Sequence, residues 1–484
     1  MNDIQWLPLS IVIVYMLGML GVGFYVSRVK IKDSVDYMMA GRHMGLLIVA
    51  ASLSSNNIGG GSTTGVAQRA FTSWGLSASW YVLAAAIAMI PVAWFAPKIR
   101  RTFALTIAEV VGRRFGRVPL TFTAILNVVA LFCLTASQIL ASGAVVATLT
   151  GLPLNVCILL SAVVVIIYTT VGGMMADQIS DLLQFIIIFV GMAIAVPFVI
   201  NGSGGLEAIS ARLPAVKLDF FAIGIPTIIS LILNYIITFL SGPEMVSRFS
   251  SARDEKTAQR SALLSAVFMT MIAFLPVIIG LVGYVNDPTL DDGKGTSVLI
   301  ATTAGHAPAI VTGLLAAAIV AATMSSADSN LLCASTIVMN DLVGKYLKPG
   351  TSQRRIILLT RTSNVLICVV ATGVALLGIS LITLNLFAFA IRSAGPFAAY
   401  ALGLAIPRAT KHAGQWSIVV GTIVVLAWQL ADSPWGLLPI VVGAALGALT
   451  FLVIHWIESA RGVEAAPSAF PDAEELAELQ ARQP

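Results

Sequence analysis

The chain has 484 residues, of which 58% are apolar and only 11% are charged. A soluble protein of this length needs charge over most of its surface, whereas a bilayer-embedded protein needs it only at two rims, so the composition excludes an ordinary soluble domain. The net charge of +5 gives no support to a nucleic-acid-binding role, because the basic residues are segregated by the topology described below.

Apolar residues fall into thirteen blocks of about 20 residues or more, which is the length a helix needs to cross the hydrocarbon layer. The blocks, numbered here as spans one to thirteen, are 5–28, 44–72, 75–97, 119–150, 153–173, 177–201, 219–249, 259–284, 309–341, 355–378, 380–405, 414–431 and 434–457. They predict an all-α membrane protein with 13 transmembrane helices. Spans two and nine exceed a simple crossing, so we expect them to be tilted, broken or bent. Span one lacks the flanking pattern of a cleavable signal.

The distribution of Lys and Arg predicts the orientation. With the N-terminus outside, 23 of the 28 Lys and Arg residues fall in the inner segments. Basic residues are retained on the cytoplasmic side during insertion, so we predict an N-out, C-in protein of the inner (plasma) membrane, surrounded by lipid bilayer. The four cysteines lie inside spans and form neither a disulfide framework nor a metal motif.

Span two is interrupted by Ser, Asn, Gly and Thr between Ser52 and Gly65. Three successive glycines weaken a helix, and carbonyls freed at this depth must bind something other than lipid. The adjacent Asn56 and Asn57 favour a binding site here. Tight helix packing by small residues is the alternative.

Span seven is interrupted at 240–244, where Pro243 removes a main-chain donor and breaks the helix. Spans two and seven are five apart, so the breaks open two successive groups of five spans, as in an inverted repeat. The predicted units are 1–43 (first helix and cytoplasmic loop), 44–201 (first repeat), 219–405 (second repeat), 406–457 (two peripheral helices) and 458–484 (cytoplasmic tail, which we expect to be a frayed helix).

Span nine carries Ala322, Ser325, Ser326 and Ser329 on a single helix face. Hydroxyl oxygens stacked beside a carboxylate suit a hard monovalent cation. Ionisable residues inside spans are costly and usually functional. Four of them are candidates here: Asp181, Glu244, Asp328 and Arg392.

Several motifs resemble the sodium:solute symporter family over nearly the whole chain. They occupy 37–42, 168–173, 180–184, 324–329 and 340–342, together with Arg248. The resemblance implies secondary active transport coupled to Na+, and a leucine-transporter-like fold of five-plus-five inverted repeats with one helix before and two after. It also implies a small-molecule solute as partner, and we expect the protein to function as a monomer.

The resemblance further implies a first Na+ site where span two is broken beside span nine. Its positions are the carbonyls of Ser55, Ile58 and Ala322 and the hydroxyls of Ser325 and Ser326. The alternative is that these hydroxyls bond back to helix carbonyls.

Some family members hold a second cation, and the matching positions here are Asp181, Ser325, Asp328 and Ser329. Position 328 is often Ser in the family, so Asp328 is a departure. Three interpretations stay open: a second Na+ site, a carboxyl that carries H+, or a buried ion pair with Arg392.

We predict a solute site near the bilayer midplane between the breaks. Its candidate residues are Asn56, Asn57, Thr63, Gln138, Asn234, Tyr235 and Arg392. Amides and hydroxyls suit a neutral or zwitterionic molecule, and Arg392 suits a carboxylate unless it has a packing role. We therefore expect a carboxylate or a zwitterion such as an amino acid. Glu244 is expected either to meet an amine or, as the favoured interpretation, to pair with Arg248 one turn later.

Two other solutes or ions are alternatives. The segments 58–61 and 324–329 look most like choline carriers, but the aromatic residues expected for a quaternary ammonium are replaced by Asn and by Gly-Pro-Glu. Proton-coupled symport through Asp328 is the other. We expect neither an enzyme nor a sensor, because the four histidines do not cluster with acids and no signalling domain is recognisable after span thirteen.

Overall fold

The computed structural model of the protein describes residues 4–30, 37–38, 40–290, 297–347, 351–431, 433–434, 437–472 and 474. Within these ranges the regular structure is helical, and β pairing is limited to the isolated bridges Met44–Ala252 and Thr410–Ala465. The all-α prediction is confirmed. Residue 39 of the first motif and residues 475–484 of the predicted tail lie outside the described residues.

The α-helices form in nearly all of the predicted apolar blocks. In chain order they are α1 (Trp6–Lys30), α2 (Leu46–Asn57), α3 (Val66–Arg69), α4 (Trp80–Arg101), α5 (Ile107–Phe115), α6 (Arg117–Thr150), α7 (Leu154–Gly202), α8 (Gly205–Arg212), α9 (Ala215–Leu218), α10 (Ile225–Ser241), α11 (Pro243–Ser251), α12 (Glu255–Ile272), α13 (Leu275–Asn286), α14 (Val298–His306), α15 (Ala309–Ile337), α16 (Gln353–Ala375), α17 (Leu381–Ser393), α18 (Gly403–Ala405), α19 (Lys411–Leu430) and α20 (Pro439–Ala460). Wider π-helical turns occupy Gly61–Gly65, Ala70–Trp74, Val338–Val343 and Ala398–Leu402, and 3-10 turns occupy Ala40–Arg42, Gly75–Ser79 and Gly344–Tyr346.

Nine helical stretches in the described part are long and apolar enough to cross a membrane, or up to eleven if each of two bent pairs forms one span. The multi-pass architecture is therefore confirmed, while the number 13 stays a prediction. The counts differ because α2 is only 12 residues long and because the first part of α7, Leu154–Thr170, is shorter than a full crossing. Gly173, with φ 63° and ψ 177°, separates the two parts of α7.

Both predicted breaks are present. The helix α2 ends at Asn57, Ile58 leaves helical geometry (φ −93°, ψ 65°), and the chain resumes as a π-helical turn at Gly61. In span seven, Gly242 is extended and the axes of α10 and α11 differ by 55°.

A third break, in span eleven, was missed. The axis turns by 45° between Ser393 and Ala398. The Gly395-Pro396 dipeptide was the available signal, because it repeats the Gly242-Pro243 sequence of span seven.

The helix α15 lies at the centre of the molecule. In its most apolar stretch 83% of the residues are buried, compared with 22% in that of α1. It packs against α1, α6 and α7. Its hydroxyl face is consequently held inside the protein rather than against lipid.

Residues 461–472 of the predicted tail do not form the expected helix. The helix α20 ends at Ala460, and the chain then runs back along residues 409–410, where the Ala466 amide donates to the Ala409 carbonyl at 2.8 Å.

Candidate functional site

The break in α2 meets the hydroxyl face of α15. Ser326 Oγ lies 2.8 Å from the Asn56 carbonyl oxygen and 3.1 Å from that of Ala322. Because the helix stops here, no main-chain amide among the described residues donates to the carbonyls of Ser55 or Ile58. Oxygen atoms therefore gather where the first cation site was predicted.

Ser325 connects this break to α7. Its hydroxyl donates to Asp181 Oδ1 at 2.5 Å and also contacts the Ser55 hydroxyl. The Ser55 hydroxyl lies 3.1 Å from the same carboxylate oxygen. The Asp181 carboxylate therefore lies next to both hydroxyls. It supplies the negative charge that a bound cation would need.

Arg248 is fully buried and lies between two aspartates of α7. Its Nη2 is 3.0 Å from Asp181 Oδ2 and 3.3 Å from Asp177 Oδ2. Two carboxylates face one guanidinium here, so the cluster carries a net negative charge whenever both aspartates are ionised. Asp177 was missed from the sequence, although it lies one helical turn before Asp181 and could have been found from that spacing.

The same guanidinium ties α11 to two more helices. Arg248 Nε donates to Ser52 Oγ at 2.7 Å, and Nη2 also donates to Ser329 Oγ. Its contact with Glu244 is only to the main-chain oxygen, at 3.1 Å. The favoured Glu244–Arg248 side-chain pair is therefore wrong, because the bend before α11 turns the Glu244 carboxylate towards α17.

Asp328 does not join this cluster. Its Oδ1 accepts a hydrogen bond from Thr169 on α7, and its buried Oδ2 has no partner among the described residues. The proposed alternative of an Asp328–Arg392 pair is wrong, because the Arg392 fork binds Glu244. Of the four second-site positions, Asp181, Ser325 and Ser329 lie together, whereas Asp328 faces Thr169.

A small cavity of about 40 Å³ lies beside the α2 break. Four predicted solute residues line it: Asn56, Asn57, Gln138 and Tyr235. Gln138 Oε1 accepts from the Gly60 amide at 2.7 Å, so it also holds the broken end of span two. Glu244, which the sequence offered as a possible contact for an amine, also lines the cavity, whereas Tyr81, Asn330, Asn385 and Phe389 were missed.

Three predicted solute residues lie outside this lining. Thr63 bonds back to the Gly59 carbonyl at 2.9 Å. Asn234, one residue before Tyr235, lines a larger apolar cavity together with Cys133. Arg392 lies behind Glu244 and contacts its carboxylate.

Three rings form one wall of the smaller cavity. The ring centroids of Tyr81 and Tyr235 are 5.7 Å apart in an edge-to-face arrangement, and those of Tyr235 and Phe389 are 6.2 Å apart. The cavity therefore combines amide groups, aromatic surface and a single carboxylate.

Residues 37–421 match the family model described as "Sodium:solute symporter family". The chain belongs to the sodium:solute symporter family. The resemblance predicted from the motifs is confirmed, and this member of the family is a multi-pass plasma-membrane transporter rather than an enzyme.

Curated relatives of this symporter-family chain are proline carriers. It is 26% identical to the osmoregulated proline transporter OpuE of Bacillus subtilis over 468 residues, covering 92% of this chain and 93% of the relative. It is 27% identical to a sodium/proline symporter of Staphylococcus aureus over 393 residues, covering 77% and 76%.

Solved structures share the fold. A Na+-coupled sialic acid symporter superposes with a TM-score of 0.79 at 20% identity, covering 95% of this chain and 99% of that chain. Mhp1, a nucleobase-cation-symport-1 family transporter, superposes with a TM-score of 0.58 at 14% identity, covering 90% and 96%. These similarities show that this symporter-family chain has the helical transporter fold.

Proposed function

We propose that the protein carries out Na+-coupled symport of a small polar organic solute, a carboxylate or a zwitterion such as an amino acid. The observation that carries this proposal is the meeting of the α2 break with the hydroxyl face of α15, where carbonyl and hydroxyl oxygens converge beside Asp181. The proline carriers among the relatives support an amino-acid-like solute. They lend no support to choline.

The first Na+ is proposed to bind the carbonyls of Ser55, Ile58 and Ala322 and the hydroxyls of Ser325 and Ser326. These groups belong to two different helices, so a cation bound there joins α2 to α15. With both aspartates ionised, the Arg248 cluster carries a net negative charge next to Ser325, which would favour a cation in this position.

A second cation is proposed at Asp181, Ser325 and Ser329, with Asp328 as a further carboxylate. The buried free oxygen of Asp328 supports a role for this residue in binding either Na+ or a proton. These two roles predict opposite responses to external pH.

The topology is proposed to comprise 13 spans with the N-terminus outside. The inverted repeats would cover 44–201 and 219–405, preceded by 1–43 and followed by 406–457 and the cytoplasmic tail 458–484. The breaks of spans two and seven, five spans apart, support this division. We propose that the monomer is the functional unit.

The mechanism proposed is alternating access. External Na+ stabilises the outward-open form by joining α2 and α15, the solute draws in spans two, seven and eleven, and inward opening releases Na+. One charge moving through 100 mV gains about 2.3 kcal/mol, and a tenfold Na+ gradient adds about 1.4 kcal/mol. Together these terms support roughly a few hundredfold accumulation of a neutral solute.

The test is uptake of L-proline and other amino acids into proteoliposomes that contain the purified chain. Ser325→Ala and Ser326→Ala should each lower the apparent Na+ affinity by about tenfold, because each removes a proposed oxygen ligand and its hydrogen bond. Ser335→Ala is the matched control, since Ser335 is a buried serine of α15 whose hydroxyl, among the described residues, bonds only to the Leu332 carbonyl of its own helix. Uptake that keeps its full Na+ dependence in both site variants contradicts the proposal. Uptake driven by pH and lost in Asp328→Asn would favour the proton alternative.

A further inference from the structure

Glu244 and Arg392 form a buried, two-bond ion pair. Arg392 Nη1 lies 2.5 Å from Glu244 Oε2, and Nη2 lies 2.6 Å from Oε1. The Glu244 side chain is 5% exposed and the Arg392 side chain is 0% exposed. Both carboxylate oxygens and both ends of the guanidinium fork are therefore engaged with each other.

The pair lies where two broken spans meet. Glu244 is in the first turn of α11, directly after the extended Gly242, and Arg392 is in the last turn of α17, directly before its bend. A Cβ added at Gly242 would lie 3.1 Å from Glu244 Oε1 and 3.4 Å from Arg392 Nη2. The chain thus passes close to both side chains at the break.

Glu244 also faces the amide-lined cavity, whereas Arg392 lies behind it. Among the residues described as lining that cavity, Glu244 is the single charged one. The rings of Tyr81, Tyr235 and Phe389 lie in the same lining. A carboxylate beside aromatic faces is a favourable environment for an organic ammonium group.

Breaking a buried ion pair by removing one partner leaves an uncompensated charge, which is strongly unfavourable. A solute that approached Glu244 with a positive group would displace the guanidinium and leave Arg392 buried without a charged partner. A solute that also carried a carboxylate would satisfy Arg392 at the same time. The net charge of the site would remain zero before and after binding.

We propose that the Glu244–Arg392 pair determines specificity by opening to admit a zwitterion. The solute ammonium takes the place of the guanidinium on Glu244, and the solute carboxylate takes the freed fork of Arg392. This inference rests on the proposed Na+-coupled symport and restricts its substrate class to molecules that carry both charges. Simple amines and simple monocarboxylates are rejected because each leaves one member of the pair unpaired.

The test uses sets of three related probes that carry both charged groups, the ammonium alone or the carboxylate alone. L-proline is compared with pyrrolidine and cyclopentanecarboxylate, and L-alanine with ethylamine and propionate. Binding is measured with the full chain in detergent, in Na+ and in K+. In the wild type we expect the amino acid of at least one set to bind in Na+ at least about tenfold more tightly than its amine or acid counterpart.

Each single variant should move the preference in a different direction. Arg392→Gln leaves the carboxylate alone, so the amine should now bind best. Glu244→Gln leaves the guanidinium alone, so the acid should bind best. The double variant E244Q/R392Q has no buried charge to compensate. It should fold even if a single variant does not, and should lose at least about tenfold in amino-acid affinity without gaining either analogue.

The outcomes separate this inference from the proposed function. Wild-type binding of an acid or an amine as tightly as the amino acid overturns the inference, and so does a double variant that keeps the wild-type preference. In both cases a Na+-dependent response would leave symport intact. A wild type that responds to no probe in a Na+-dependent way contradicts the proposed amino-acid symport, and the inference falls with it.

Discussion

Spans two and seven are both broken, but by different means. Span two contains no proline, and its break depends on Gly59, Gly60 and Gly61 together with contacts from other helices. The Gly60 amide is held by Gln138, and the Asn56 carbonyl is held by Ser326. Its main-chain groups are therefore directed at neighbouring side chains. Some of its carbonyl oxygens stay available for the proposed cation.

Span seven is broken by its own sequence. Gly242 is extended (φ −83°, ψ 122°) and Pro243 starts the new helix. The break places charged side chains rather than main-chain oxygens at the centre, since Glu244 meets Arg392 and Arg248 meets Asp177 and Asp181. From this difference we infer that the proposed cation binds at the break of span two and that the charged groups of the solute bind at the break of span seven.

The largest effect should follow from removing Arg248, which joins the two breaks through Ser52. Arg248→Met leaves the carboxylates of Asp177 and Asp181 buried without their cation, so we expect a loss of about 3–5 kcal/mol in the free energy of unfolding. The loss should appear as a lower midpoint temperature of thermal unfolding in detergent.

The matched control is Arg253→Met, two residues beyond α11. Its side chain is 65% exposed, and its Nε lies 3.4 Å from Asp254 Oδ2. An exposed pair of this kind contributes less than about 1 kcal/mol. Equal midpoints for the two variants would mean that the aspartates of α7 do not depend on Arg248.

The next largest effect should come from Gly60→Ala in the span-two break. The added Cβ would lie 2.4 Å from the Ala141 Cβ, which is fixed to the α6 backbone. Overpacking of this kind costs about 1–3 kcal/mol, and we expect the variant to lose Na+-dependent uptake as well as stability. Both quantities can be measured on one preparation.

Gly65→Ala tests whether the effect is local to the break. Here the nearest atom would be Ile382 Cγ1 at 3.4 Å, and the backbone is already right-handed helical. Alanine favours a helix over glycine, so this variant should be neutral or slightly stabilised. A Gly60→Ala protein as active as Gly65→Ala would show that span two does not need its close contact with α6.

The smallest effect is expected for Pro243→Ala. The bend is set by the extended Gly242, and alanine is tolerated at the first position of a helix, so uptake should persist. Stability should fall by only about 0.4–1 kcal/mol, because the unfolded chain gains freedom. Pro226→Ala, at the exposed start of α10, is the control. Loss of uptake in the first variant alone would mean that the proline holds the bend.

The sequence by itself determined the helical, multi-pass architecture and the positions of two breaks. Apolar blocks reflect the thickness of the bilayer, and glycine and proline act on the chain locally, so both signals can be read without knowing the neighbours. The shared face of Ala322, Ser325, Ser326 and Ser329 follows from helical periodicity in the same way.

Only the tertiary structure decided which charges pair. The sequence suggested Arg248 for Glu244 and allowed Arg392 for Asp328, whereas Glu244 binds Arg392 and Asp328 binds Thr169. Spacing along one helix identifies neighbours on that helix, but each of these observed contacts joins two helices far apart in sequence. Their rotation and depth result from packing of the whole bundle around α15, and no local pattern of residues encodes them.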